Sequence, residues 1–241
     1  MGYYLSLISF GPSGWGGAFL DGALITISLA VATLPFGLAL GLGIALMQRS
    51  EKKWVRRIAT IYTTIFRGVP ELLTLYIIYF GLSLGAQRLA KSLGFSGQFD
   101  MPPFLAGMIA LGLVLSSFSS EVWVGALSAI PKGQREAAAA LGLHRGQAFR
   151  LVVFPQLMRV ALPGLGNNWM VLLKETSLVS VITLPDIMFY ATRANVVTKE
   201  PFLMFGVACL IYLVFSMASA IGFGFLEARA NRGYISHGTA R

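Results

Sequence analysis

Long apolar runs separated by short polar segments set the pattern of this chain. Runs long enough to cross about 30 Å of hydrocarbon, at about 1.5 Å per residue, fall near 22–47, 58–84, 104–130, 160–184 and 201–226. The expected fold class is all-α, a polytopic membrane protein of five transmembrane helices, read as a single transmembrane domain over 1–241. An odd number of spans places the two chain ends on opposite sides of the membrane. Five spans do not divide into two equal inverted halves, and no internal repeat is visible, so another subunit must supply the missing half of a pathway. Pro70 and Pro163 fall within or near spans, where each removes a backbone donor and favours a bend. Gly37, Gly41 and Gly43 let a second helix approach the first span closely, either within the chain or at a dimer seam.

Composition agrees with this pattern. Hydrophobic residues make up 56% of the 241 residues and charged residues 12%, about half the usual charged share of about 25% in soluble domains. Mean hydropathy is +0.71. Nineteen basic against ten acidic residues give a net charge of +9. That balance does not mark a nucleic-acid binder, because the cations lie between apolar runs instead of on one soluble face.

Their distribution gives an orientation. Arg49, Lys52, Lys53, Arg56 and Arg57 follow the first span, Lys132, Arg135, Arg145, Arg150 and Arg159 follow the third, and Arg229, Arg232 and Arg241 occupy the tail. The opposite side has Arg88, Lys91, Arg193 and Lys199. The excess of cations on cytoplasmic loops predicts an external N-terminus and a cytoplasmic C-terminus. No Lys or Arg precedes Arg49, so the basic start of a cleaved signal peptide is missing and the first span is expected to stay in the protein. Cys209, the single cysteine, lies in the last apolar run and reads as a small packing residue.

Several charges remain inside the spans, where each costs at least about 2.5 kcal/mol unless paired or wetted. On an uninterrupted second span, Arg67 and Glu71 stand one turn apart and can pair as i and i+4. Glu121 in the third span lies at a similar depth to Arg67, so a pair between helices is the alternative. In the fourth span Asn167, Asn168, Lys174 and Glu175 continue the series into a polar belt. Such a belt either ties the helices together or lines a wet substrate pocket near the membrane centre. In the second reading Glu71 is the leading candidate to hold a cationic substrate group, while Arg67 and Lys174 meet a carboxylate or neutralise an acidic neighbour.

Between the third and fourth spans, residues 131–150 are too polar to cross and too rich in alanine for a plain loop. They predict one or two short helices, with Gly142 and Gly146 permitting a stop or turn between them. Glu136-Ala137-Ala138, with Gly142 six residues after the glutamate, then Phe149, Phe154-Pro155 and Pro163, resembles the EAA loop of membrane subunits of bacterial ATP-binding-cassette importers. Arg67-Gly68-Val69-Pro70, Tyr79-Phe80-Gly81, Pro131-Lys132-Gly133, Asn167-Asn168-Trp169 and Lys174-Glu175-Thr176-Ser177-Leu178 are similar to the polar amino acid permease branch. Within it the chain looks closest to permeases for histidine, other basic amino acids and the opines octopine and nopaline, partly because Glu71 carries an acid where many relatives are apolar. Relatives commonly have arginine where this chain has Val124, three residues after Glu121.

The resemblance implies a type I importer transmembrane fold in the inner membrane. It implies that Glu136, Ala137, Ala138 and Gly142, within a cytoplasmic loop at about 131–155, dock coupling helices onto an ATPase. It further implies two cytoplasmic ATP-binding subunits that hold ATP and Mg, a second permease that is either a second copy or, as is frequent in the resembling systems, a paralogue, a periplasmic substrate-binding protein, and an amino acid substrate moved by alternating access. The chain itself has no Gly-x-x-x-x-Gly-Lys-Ser/Thr cradle, and His144, His237 and Cys209 are solitary, so no cofactor, metal site or enzymatic centre is expected. The alternative from another class is a passive channel-forming or structural membrane protein. An exporter is a further rival, against which the EAA-like loop argues.

Overall fold

The computed structural model describes residues 2–11, 14–94 and 101–232, and these contain helices but no strand. His237 and Arg241 lie outside the described residues. In chain order the helices are α1 (Gly2–Leu7), α2 (Gly16–Gln48), α3 (Lys53–Gly68), α4 (Glu71–Ser92), α5 (Pro103–Ala129), α6 (Lys132–Ala140) and α7 (Arg145–Ala148). A π-helical turn at Phe149–Val153 leads into α8 (Phe154–Glu175), and a 3₁₀ stretch at Thr176–Ile182 precedes α9 (Ile187–Thr198) and α10 (Pro201–Ala230). Five helical segments are long and apolar enough to cross a membrane: Gly16–Gln48, Glu71–Ser92, Pro103–Ala129, Arg145–Ile182 and Pro201–Ala230.

The expectation of one continuous helix over 58–84 is corrected. Pro70 has no amide hydrogen and its ring crowds the carbonyl four residues earlier, while the residue before a proline is driven out of the helical region. Val69 accordingly adopts φ −93° and ψ 133°, and Pro70 φ −55° and ψ 137°. Two helices result, with Arg67 in the last turn of α3 and Glu71 in the first turn of α4. Each charge suits its helix end, a cation where carbonyls are free and a carboxylate where amides are free. Pro163 behaves differently and stays inside α8, as does Pro35 inside α2.

The largest seam joins α2 to α5. An added Cβ at Gly37 would meet Leu115, one at Gly41 would meet Ser119, and Arg49 Nη1 donates to Ser128 Oγ at 2.6 Å. The partner's number rises in step with α2, so the two helices run in the same direction. Gly107 against Val179 and Gly164 against Val122 give the opposite trend, so α8 runs antiparallel to α5. Gly37 and Gly41 therefore serve close packing within the chain, whereas a Cβ at Gly43 would meet open space.

Lipid tails are as apolar as leucine, so hydrophobic burial does not drive helices together within a bilayer, and close packing and hydrogen bonds must. Ser119 Oγ donates to the Gly37 carbonyl at 3.3 Å and Trp123 Nε1 to the Leu38 carbonyl at 3.3 Å. Three apolar clusters follow along the bundle. Phe19, Ile187 and Met204 join α2, α9 and α10 at one end. Leu29, Leu111, Leu172 and Val179 fill the middle. Trp123, Val153 and Leu157 close the end that carries α6 and α7. Cys209 is exposed on the outer face of α10 and packs in none of them, contrary to its sequence reading.

Candidate functional site

Two constellations emerge from this frame, one beneath the spans and one between them. Beneath the spans, α6 starts after Pro131, whose extended backbone leads into the helix without a side-chain cap. Its end is closed by Gly142 at φ 76°, a left-handed position that glycine adopts without steric cost. The Leu143 amide bonds the Ala138 carbonyl at 3.1 Å and the Gly142 amide bonds the Ala139 carbonyl at 2.9 Å, the paired bonds of a Schellman stop. His144 then caps α7 reciprocally with Gln147. Ala138 and Ala148 are buried, so one face of the element is fixed to the protein, and Gln156 Nε2 bonds Gln134 Oε1 at 3.3 Å to tie it to α8. Glu136 and Ala137 remain exposed. A rigid, capped element with a small-residue face turned outward suits insertion into a partner's groove.

Between the spans, the proposed i and i+4 pair of Arg67 and Glu71 does not form, because the break at Val69 and Pro70 separates them. Arg67 Nη1 instead contacts Glu121 Oε1 at 3.1 Å, the helix-to-helix alternative. The guanidinium also lies 5.7 Å from the Phe118 ring centroid. Phe118 borders a cavity of about 170 Å³ with Leu115, Asn167, Asn168, Val171 and Glu175. Glu71 is close enough to Glu175 for the two carboxylates to repel, and Lys174 attracts Glu175 from the adjacent position.

All seven belt residues are thereby linked: Glu121 through Arg67 and Phe118 to the asparagines, then Glu175 with Glu71 and Lys174. Two cations face three carboxylates, which leaves one negative charge in excess. Asn168 borders the cavity, and its buried side-chain Nδ2 has no partner among the described residues. Arg67 and Glu121 keep 45% and 46% of their side-chain surface open on the single chain. Charges this accessible at membrane depth require water or protein beside them rather than lipid.

Sequence reasoning passed over Phe118, one turn before Glu121, and Tyr62, whose hydroxyl lies 2.7 Å from Ser116 Oγ. It also passed over Asp186, which caps α9 by accepting from the Phe189 amide at 2.8 Å. An acid directly before an apolar helical run was a readable signal for that cap.

Comparisons with known proteins agree with this architecture. Residues 35–232 match the family described as "Binding-protein-dependent transport system inner membrane component". The chain is 41% identical over 221 residues to the histidine/lysine/arginine/ornithine transport system permease protein HisQ of Escherichia coli (strain K12), covering 91% of this chain and 96% of that one. It is 37% identical over 230 residues to the octopine transport system permease protein OccQ of Rhizobium meliloti, covering 95% and 97%. A crystal structure of an amino acid ABC transporter with histidines matches with a TM-score of 0.74 at 32% identity, over 89% of this chain and 95% of that one.

Proposed function

The chain belongs to the family of binding-protein-dependent transport system inner membrane components, and on that premise we propose that it carries a basic amino acid or an opine through the polar belt of its spans. It is a permease subunit of an ATP-binding-cassette importer. The observation that carries the substrate reading is the excess of carboxylates in the belt, where Arg67 is engaged by Glu121 while Glu71 stands close enough to the cavity-lining Glu175 for the two to repel. A substrate cation between them relieves their repulsion, and its carboxylate lies against the cavity wall formed by Asn167 and Asn168, with Lys174 nearby. HisQ and OccQ, named for basic amino acids and an opine, support this choice of cargo.

Two cytoplasmic ATPase subunits hold ATP and Mg and receive α6 through Glu136, Ala137, Ala138 and the turn at Gly142. A second permease, a paralogue, faces the open side of Arg67, Glu121 and Glu175 and completes the enclosure. A periplasmic binding protein delivers the amino acid to the end carrying α9. ATP-driven closure of the ATPases pulls on α6 and α7 and rocks the two permeases between outward and inward access. The cation distribution supports an external N-terminus, with α6, α7 and the end of α10 in the cytoplasm.

Competitive uptake by the full complex in proteoliposomes tests the cargo. Glu71→Gln removes a charge and keeps the shape, so the ratio of arginine to glutamine uptake efficiency should fall about tenfold. An unchanged ratio would remove Glu71 from substrate selection.

A further inference from the structure

Asp186 is fully buried where the 3₁₀ stretch turns into α9, beyond the end of the fourth span. One of its oxygens accepts the Phe189 amide at 2.8 Å, while Oδ2 is buried without a partner among the described residues. The Tyr212 hydroxyl on α10 is likewise buried and unpartnered. Its polar neighbours are the hydroxyls of Thr26 on α2 and Thr176 at the start of the 3₁₀ stretch, with the Asp186 carboxyl close enough to act on it. Thr26 Oγ1 also accepts the Ile187 amide at 3.4 Å, and an added Cβ at Gly22 would meet the Asp186 backbone at 2.8 Å. Four segments thus converge on one carboxyl.

Among the described residues no opposite charge neutralises it. On α9 itself Arg193 stacks over Phe189, 4.9 Å from the ring centroid, and Lys199 caps the far end. Asp21 on α2 is exposed, Glu175 and Lys174 of α8 act on each other, and the group from α10 is Tyr212. A buried charge without a counter-ion is expensive, and the common escape is to take up a proton. Burial pushes the Asp186 carboxyl up to about 7, partly offset by amides of Phe189, Met188 and its own residue. The junction is also strained, since β-branched Thr183 sits at φ 65°.

We propose that Asp186 is a proton-controlled latch: in its neutral form the buried carboxyl is tolerated beside the Thr26, Thr176 and Tyr212 hydroxyls, and α9 stays seated against α2 and α10. Losing the proton leaves a carboxylate that is better solvated outside, and α9 loosens. Fastening is strongest below the ordinary carboxyl value of 3.8 and is lost as pH rises through about 7. This rests on the orientation proposed above, which places α9 outside, where it meets external pH.

Thiol labelling of the assembled complex in right-side-out vesicles tests it. Cys209→Ser removes the single native cysteine. Ala194→Cys then places a thiol on the buried face of α9, and Val197→Cys places one on its exposed face. An impermeant maleimide should label the position 197 thiol at every pH. Failure there overturns the orientation and the latch's exposure to external pH with it. Dividing the position 194 rate by the position 197 rate cancels the thiol's own pH dependence, and the quotient should rise at least about tenfold between about pH 5 and about pH 8. Asp186→Asn should hold the quotient low and flat. A flat quotient in the parent, the same rise in Asp186→Asn, or a rise that follows sodium concentration instead of pH would each overturn the proposal. Hydrogen exchange of the α9 amides, in the complex without added cysteines, should show the same contrast and covers the case in which the position 194 variant does not assemble.

Discussion

The two sides of α5 obey opposite rules. Toward α2 it presents Gly112, Leu115, Ser119 and Trp123 to a seam so close that added side-chain atoms at Gly37 or Gly41 would collide. Toward α3 and α8 it presents Phe118 and Glu121 to a cavity and a half-open ion pair. One face is dry and excludes volume, while the other keeps volume and charge. The closed face sets where the open face stands, because the Arg67 contact and the asparagine wall both refer to α5. The proposed function can therefore be lost on the open side without loss of fold, but not on the closed side.

Gly41→Leu should produce the largest effect. Its side chain must displace Ser119 and the Ser116 backbone, and overpacking that involves backbone is not relieved by a rotamer change. Membrane-inserted protein should fall below about a tenth of the parent by immunoblot; normal abundance would mean that the seam is looser than its geometry.

Arg67→Ala on the open face should leave abundance within about twofold, since half-exposed ion pairs add little stability, yet reduce coupled uptake about tenfold. Glu121→Ala should do the same. The double variant should lose no more than the worse single one if the two act as a unit. Fully additive losses would separate their roles.

Ser119→Ala removes one bond to the Gly37 carbonyl and leaves the close approach intact. The cost should be about 0.6 kcal/mol, typical of bonds between membrane helices, read as a melting shift of about 2 °C for the detergent-solubilised complex. A shift as large as that of a failed seam would show that the hydrogen bond, not the glycine spacing, holds α2 to α5.

The spans were legible because a bilayer demands long apolar helices, and the capped element at Lys132–Ala140 because alanine and glycine specify its body and its stop. What local pattern could not supply was the partner of each charge. Arg67 and Glu71 have an attractive spacing only on an intact helix, and Pro70 sits between them. Hydropathy averages across that proline, while backbone sterics do not. Cys209 misled for a related reason: an apolar neighbourhood in sequence does not say which side of α10 is covered. Asp186 went unweighed because its burial depends on α2, about 160 positions earlier, as the Thr26 contact records.

The gap between α3 and α4 changes the mechanics of the bundle. A continuous helix behaves as an elastic rod whose bending stretches its own ladder of hydrogen bonds. Here the last bond below the gap runs from the Val69 amide to the Ile65 carbonyl at 3.0 Å, and the first above it from Thr74 to Pro70 at 3.0 Å. Only covalent chain spans the interval, so a turn about Val69 and Pro70 sacrifices no ladder bond, as at a knee joint. The lower limb is pinned by Arg67 to Glu121, while the upper limb carries Glu71. Under the proposed function, a swing of this joint changes the spacing of Glu71 and Glu175 and so turns a backbone rotation into a change of grip on the positive charge of the cargo.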